Sequence, residues 1–237
     1  MKGMILAAGY GTRLESGDDP KPLVRAGGRP MIAWAIEALE HAGCSEIIVN
    51  LHHRAELIQD FLDKSASSVP VITVHEDVIL GTGGGVLHAR RFLEGGEFIL
   101  YNADIVTQQD LRHLVEAHRS SGALATLMVN ERETSRALLF DGDLRLLGKE
   151  RWGEEGMSFP EYVLRRGFCG VHVISPRLFE LEYPEGFSDI FDVYRSALER
   201  GLPLRGFEST EYWSDLGTRE RITAYEQWLA GSSSEME

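Results

Sequence analysis

Two glycines, an arginine and a lysine held between prolines stand close together near the start of the chain. They lie in Gly9-Tyr10-Gly11-Thr12-Arg13-Leu14 and in Pro20-Lys21-Pro22. Glycines let the backbone approach a phosphate closely, and successive N–H groups turned one way form an anion nest. The two prolines hold the backbone around Lys21 extended and limit where its ammonium can point. Either piece alone reads as a turn; the two in succession point to polyphosphate binding. A dinucleotide-binding loop would place a third glycine at position 14 and start a helix at once. Leu14 stands there, and Gly17-Asp18-Asp19 intervenes, so that reading is poor. Two aspartates much further along, Asp104 and Asp215, are each by themselves more often a turn or cap residue than a ligand. The eight histidines have no metal-ligand spacing, and Cys44 and Cys169 form neither a zinc motif nor a disulfide framework.

The elements that must position these residues alternate. Residues 2–8 are a continuous apolar run, which suits a strand buried on both faces. Pro30 opens a helix with Ile32, Ile36 and Leu39 on one face, and Gly43 closes it. A strand over 46–51 precedes a helix over 54–64, with Leu57, Ile58, Phe61 and Leu62 facing inward. A third strand covers 71–75, a glycine-started helix 83–94, and a fourth strand 98–101, which leaves Asp104 at a carboxyl end, where open α/β sheets bind ligands. Thr107, with Asp110 three residues on, predicts a capped helix over 108–119. A strand over 123–130 and a turn at Asp141-Gly142 follow. The pattern is lost over 149–166, which is expected to be an irregular lid over one end of the sheet. A strand over 168–174, a helix from Ser188 to Arg200 and a helix capped by Thr218 through Leu229 complete the order. The fold expected is α/β, a single doubly wound, mostly parallel sheet with a small antiparallel addition. One domain is expected over 1–230, with 231–237 a disordered tail.

The 237 residues include 37 acidic against 24 basic side chains, a formal net charge of −13. Such a surface repels nucleic acid and anionic membranes. An anionic substrate would need a local cation and a bridging metal to offset that field. There is no apolar run of 18 residues, and the short N-terminal one is expected to be the first strand rather than a leader. With two isolated cysteines, a reducing, cytoplasmic setting is expected.

Taken in order, the motifs resemble those of the sugar-1-phosphate nucleotidyltransferases, whose signature is Gly-x-Gly-Thr-Arg-Leu, a spacer and Pro-Lys-Pro. The later markers are Gly81-Thr82-Gly83-Gly84-Gly85, Asn102-Ala103-Asp104, Phe168-Cys169-Gly170-Val171 and Trp213-Ser214-Asp215-Leu216-Gly217-Thr218, so the resemblance covers nearly the whole chain. Within the family the sequence looks most like the N-acetylmuramate-1-phosphate uridylyltransferase group. It departs in a short spacer that lacks Pro-Leu-Thr, closer to the cytidylyltransferases of isoprenoid synthesis, and in having no evident Glu-Lys-Pro in 149–166.

The resemblance implies a Rossmann-like nucleotidyltransferase that joins a nucleoside triphosphate, UTP in that group, to a sugar 1-phosphate and releases pyrophosphate. It implies Mg²⁺ on Asp104 and Asp215, with Lys21 on the phosphates at the reacting centre. Arg13 and the backbone of Gly9, Gly11 and Thr12 would hold the leaving pyrophosphate. Ala7, Ala8, Glu76 and Gly81 would surround the base, and Thr82, Asn102 and Gly170 would lie nearer the sugars. A phosphate monoester with a second pKa of about 6 is already a nucleophile at neutral pH, so no general base is required. Two other readings share the fold: a regulatory subunit that binds nucleotide sugar without turnover, and a cytidylyltransferase acting on a non-sugar phosphate. Regulatory members commonly lose the arginine, the lysine or a carboxylate, and all four are present here. A monomer or small homo-oligomer is expected, with no second catalytic domain.

Overall fold

The computed structural model describes residues 1–11, Leu14, 19–182 and 186–234. In chain order the first elements are β1 (Lys2–Leu6), a 3-10 turn at Lys21–Leu23, β2 (Arg25–Ala26), β3 (Arg29–Pro30) and α1 (Met31–His41). Next come β4 (Ile47–Leu51), α2 (Ala55–Lys64), β5 (Val71–His75), α3 (Gly81–His88), α4 (Arg90–Leu93), β6 (Phe98–Asn102) and β7 (Ile105–Thr107). The following stretch carries α5 (Leu111–Ser121), β8 (Ala125–Asn130), β9 (Leu138–Phe140), β10 (Leu146–Lys149), α6 (Glu150–Glu154) and β11 (Leu164–Ile174). Last are α7 (Ile190–Glu199), β12 (Leu204–Glu208), β13 (Trp213–Asp215) and α8 (Arg219–Ser234).

One nine-stranded sheet forms the centre, in the order β10-β9-β11-β6-β1-β4-β5, with β8 pairing β11 and β12 pairing β8. β1 lies parallel to β4 and β6, β5 parallel to β4, and β12 parallel to β8. Only β10 and β11 run against the other strands of this sheet. The sheet is therefore mostly parallel, and two small antiparallel ladders, β2-β3 and β7-β13, lie outside it.

Successive side chains of a strand point to opposite faces, and here both faces are covered. Met4, Ile48 and Leu100 join one apolar cluster with α7, while Ile5, Val49 and Ile99 join the other with α1. This explains why 2–6 is apolar without alternation. A third cluster packs α8 over Ala26, Met31 and Val106 through Leu216, Ile222 and Tyr225. No helix among the described residues is long and apolar enough to cross a membrane.

Several expected boundaries move for local reasons. The helix expected over 83–94 starts at Gly81 and breaks at Ala89 into α3 and α4. Asp110, not Thr107, caps α5, accepting from Arg112 N at 3.0 Å, because Thr107 is paired with Trp213 in the β7-β13 ladder. Ile58 and Leu62 are buried as expected, whereas Leu57 is 39% exposed, so the inward stripe of α2 is narrower than the sequence suggests. The segment 149–166 is not irregular throughout. Lys149 ends β10, Leu164 begins β11, and α6 between them inserts Trp152, only 2% exposed, into the core. The last helix runs to Ser234, past Leu229, and takes the first four residues of the expected tail; residues 235–237 lie outside the described residues.

Candidate active site

The carboxyl ends of β1, β4, β5 and β6 form one edge of the sheet, and a buried polar chain fixes the first three to one another. Ala7 N donates to Asn50 Oδ1 at 2.8 Å, and Asn50 Nδ2 donates to Glu76 Oε1 at 2.7 Å. Glu76 Oε2 in turn accepts from Leu80 N at 2.9 Å, just ahead of α3. A Cβ on Gly85 would come within 2.8 Å of Asn50 Nδ2 and 2.9 Å of Glu76 Oε1, so glycine is what lets α3 sit on this chain. With Asn50 2% and Glu76 4% exposed, losing any member would strand a buried polar group at a cost of about 1–3 kcal/mol.

Over that floor opens a cavity of about 350 Å³, lined by Leu6 to Gly9 and by Gly11, Lys21, Asn50, Gly81, Thr82, Asn102 and Asp104 among others. Its size lies in the range that encloses a small-molecule portion. Gly11 has φ +65, a left-handed conformation, and a Cβ there would lie 2.6 Å from Lys21 Cβ. The glycine thus lets the loop close onto the lysine.

Lys21 Nζ makes an ion pair with Asp104 Oδ2. Asp215 lies 111 positions from Asp104, and the β7-β13 ladder closes that gap by setting Asp215 opposite Ile105. Leu216 N then donates to Asp104 O at 2.8 Å. Measured from the position a Cβ on Gly217 would occupy, Asp215 Oδ1 is at 3.0 Å, Lys21 Nζ at 3.6 Å and Asp104 Oδ2 at 3.9 Å. Two carboxylates and an ammonium therefore surround a single point. Arg221, from the first turn of α8, pairs with Asp215 Oδ1, the same oxygen that faces this point.

A second cavity, about 750 Å³, continues from this point and shares Leu6, Thr82, Asn102 and Asp104 with the first. β11 supplies its floor. The register of β11 on β8 shifts between Phe168 and His172, and Gly170 in that bulge turns toward Ile105 and Asn102. His172 Nδ1 shares a 2.8 Å hydrogen bond with the Tyr194 hydroxyl, and burial pushes its pKa down to about 3, so the ring is neutral. Trp213 Nε1 donates to Cys169 O at 2.7 Å, and the Arg132 guanidinium lies 4.0 Å over its ring. Lys149 lies 3.8 Å over the face of Phe191, and burial holds its ammonium below the ordinary lysine range.

Of the residues singled out from sequence, Ala7, Ala8, Gly9, Gly11, Lys21 and Gly81 line the first cavity, and Gly170 and Asp215 the second. Thr82, Asn102 and Asp104 line both. Thr82 Oγ1 also accepts from Ile190 N at 2.8 Å, which ties α3 to α7. Glu76 lines neither cavity; its carboxylate is committed to Asn50 and Leu80 beneath the first. Thr12 and Arg13 lie outside the described residues. Sequence reasoning passed over Asn50, Arg132 and Lys149, and met Trp213 only as part of a motif. Asn50 is a polar residue in an otherwise apolar strand run, and that signal could have singled it out. No group of three or more His, Cys, Asp or Glu side chains among the described residues could hold a metal by itself.

Residues 3–166 match the family model of the MobA-like NTP transferase domain. The mannose-1-phosphate guanyltransferase of Pichia angusta is 32% identical over 226 residues, covering 92% of this chain and 61% of that protein. The probable mannose-1-phosphate guanylyltransferase 1 of Oryza sativa subsp. japonica is 30% identical, over 97% of this chain and 65% of its own length. The chain thus spans less than two thirds of these curated relatives. Among solved structures, HddC from Yersinia pseudotuberculosis superposes with a TM-score of 0.77 at 25% identity, over 96% of this chain and 99% of that one. The two curated relatives carry a guanyltransferase name, which supports the family and not the uridylyltransferase subgroup that the motifs suggested.

Proposed function

We propose, from the premise that the chain belongs to the MobA-like NTP transferase family, that it transfers a nucleotidyl group from a nucleoside triphosphate to a sugar 1-phosphate and releases pyrophosphate. The observation that carries this reading is the convergence of Lys21, Asp104 and Asp215 on one point between two connected cavities. The nucleotide would occupy the cavity under the β1 loop and the acceptor the one over β11, so that the α-phosphorus lies where they meet.

An oxygen of the acceptor's phosphate forms the new bond to the α-phosphorus, and the α–β bridge breaks as pyrophosphate leaves. That oxygen is already ionised at neutral pH, so the protein's task is alignment and charge neutralisation. Lys21, held by its flanking prolines and its pairing with Asp104, supplies a fixed positive charge at the reacting phosphates. Asp104 and Asp215 would hold Mg²⁺. Two carboxylates completed by substrate phosphate oxygens fit that ion, which usually takes one or two protein carboxylates and keeps its other positions for water and phosphate. When bound, it would neutralise phosphate oxygens on the triphosphate and acceptor. Arg13 is assigned to the pyrophosphate through the family motif alone.

GTP is proposed as the nucleotide, because the curated relatives are named as guanyltransferases. A regulatory role without turnover is the second reading. Lys21, Asp104 and Asp215 are all retained and placed together, which favours catalysis. The test is pyrophosphate release across the four nucleoside triphosphates and a set of sugar 1-phosphates, with and without Mg²⁺. Release with GTP that requires Mg²⁺ is expected. Faster release with UTP or CTP for every acceptor would remove the base assignment, and no release from any pair would leave the regulatory reading.

A further inference from the structure

Each carboxylate at the transfer point is held by a cation, and the two cations belong to different compartments. Lys21 pairs with Asp104 Oδ2 and lines the first cavity but not the second. Arg221 pairs with Asp215 Oδ1 and lines the second cavity but not the first. Asp215 Oδ1 also accepts from Gly217 N at 3.3 Å, and it is the oxygen of that residue nearest the point the three charges surround. Asp104 Oδ2 and Asp215 Oδ1 are therefore the oxygens that would reach a divalent ion there. A guanidinium and a metal compete for the same atom of Asp215.

Arg221 is placed to give way. It stands third in α8, where the positive end of the helix dipole opposes a cation, so the helix itself does not favour it there. Its side chain is 50% exposed, against 26% for Asp215, and an ion pair so open to water contributes little. Among the described residues its guanidinium has no other partner, which leaves the rest of a planar donor fork that matches phosphate geometry. The cavity it lines is the one assigned to the acceptor, whose phosphate must reach the transfer point beside Asp215.

We propose that Arg221 alternates between Asp215 and the acceptor's phosphate, releasing the carboxylate to the metal as that phosphate takes over the guanidinium. Binding of acceptor and of metal is thereby coupled through one side chain. The proposal rests on the nucleotidyl-transfer reading and deepens it by naming a residue that links the acceptor to the metal.

The test compares wild type, Arg221→Gln and Arg221→Lys. Mn²⁺ binding is measured by electron paramagnetic resonance. Binding of mannose 1-phosphate, glucose 1-phosphate and GTP is measured by calorimetric titration at saturating Mg²⁺. Arg221→Gln lacks the competitor for Asp215, so Mn²⁺ alone should bind it severalfold more tightly than wild type. Losing a charged hydrogen bond should raise its Kd for the better-bound sugar phosphate about tenfold, while its Kd for GTP stays within about twofold. Arg221→Lys, which keeps the charge without the fork, should give an intermediate Kd for that sugar phosphate. A pair that only fixes Asp215 in place behaves otherwise: Mn²⁺ binding to Arg221→Gln is then unchanged or weaker, and that result overturns the proposal. So does an unmoved Kd for the sugar phosphates, or a wild type that binds neither of them. An equal loss for GTP also overturns it, moving the guanidinium to the triphosphate. Pyrophosphate release by wild type decides the transfer reading separately, and the titrations decide Arg221 whatever that assay gives.

Discussion

The two compartments of the site are built from different materials. Under the β1 loop the surface is rich in glycine and alanine, and the polar groups beneath it satisfy one another from Ala7 through Asn50 and Glu76 to Leu80. Over β11 the surface is side chains: an aromatic floor of Phe168, His172, Phe191 and Trp213, with cations set on its rings. A backbone surface held by an internally complete network has one shape and offers N–H and C=O groups, which suits a portion common to every substrate of the class. A surface of side chains can change one residue at a time, which suits the portion that varies. On the proposed reading, the first surface would receive the nucleotide and the second the acceptor.

The largest stability effect expected belongs to the acceptor end. His172 is buried as the neutral ring with a pKa near 3, against an ordinary value of about 6.5 in the unfolded chain. Its folded pKa is depressed, so its contribution is fully present above about pH 6.5 and is lost as pH falls toward 3, because the unfolded chain binds the proton first. Between pH 7 and 4 the loss amounts to about 3 kcal/mol. His118, also held low by burial, adds a slope of the same sign. The measurement is therefore the difference between wild type and His172→Asn in urea unfolding across that range. The gap between the two should shrink by about that amount; a constant gap would mean that the floor of the acceptor compartment tolerates a charged imidazole.

A smaller effect separates the compartments functionally. Glu76→Gln keeps the shape but puts an amide NH₂ against either the Asn50 or the Leu80 donor, so roughly 1–3 kcal/mol of stability should be lost, read as a lower melting midpoint. Because the chain ends on Ala7 N, the KM for nucleotide should rise more than that for the acceptor. An equal rise in both would erase the division of labour drawn above.

These contrasts also explain what the sequence made legible. The nucleotide end was readable because its residues are neighbours in short motifs: the glycine loop, the proline-braced lysine and the glycine run that starts α3. The parallel strands were readable because burial on both faces writes itself as unbroken apolar runs. The pairing of Asp104 with Asp215 was not legible from the residues, since it depends on β7 and β13, three-residue strands with no periodicity of their own. Glu76 was assigned to the base from a motif position, whereas its side chain turns inward, a direction fixed by how closely α3 approaches at Gly85. Lys149 went unnoticed because α6 and the start of β11 are polar in sequence, and that segment is anchored by the buried Trp152 with Met157 and Phe159 packed against the same core.

The central claim, that the point shared by Lys21, Asp104 and Asp215 is where the nucleotidyl group is transferred, is tested most directly by pyrophosphate release from Lys21→Met. The assay is run at saturating nucleotide, acceptor and Mg²⁺, beside a melting curve of the same sample. Removing one preorganised charge-stabilising group should lower turnover by ~10²–10³-fold. The melting midpoint should stay within a few degrees of wild type, since methionine keeps most of the length and packing of the lysine side chain, which is only partly buried against the cavity. A folded Lys21→Met protein with near-normal turnover would contradict the account, leaving the lysine a counter-ion to Asp104 and the transfer point elsewhere.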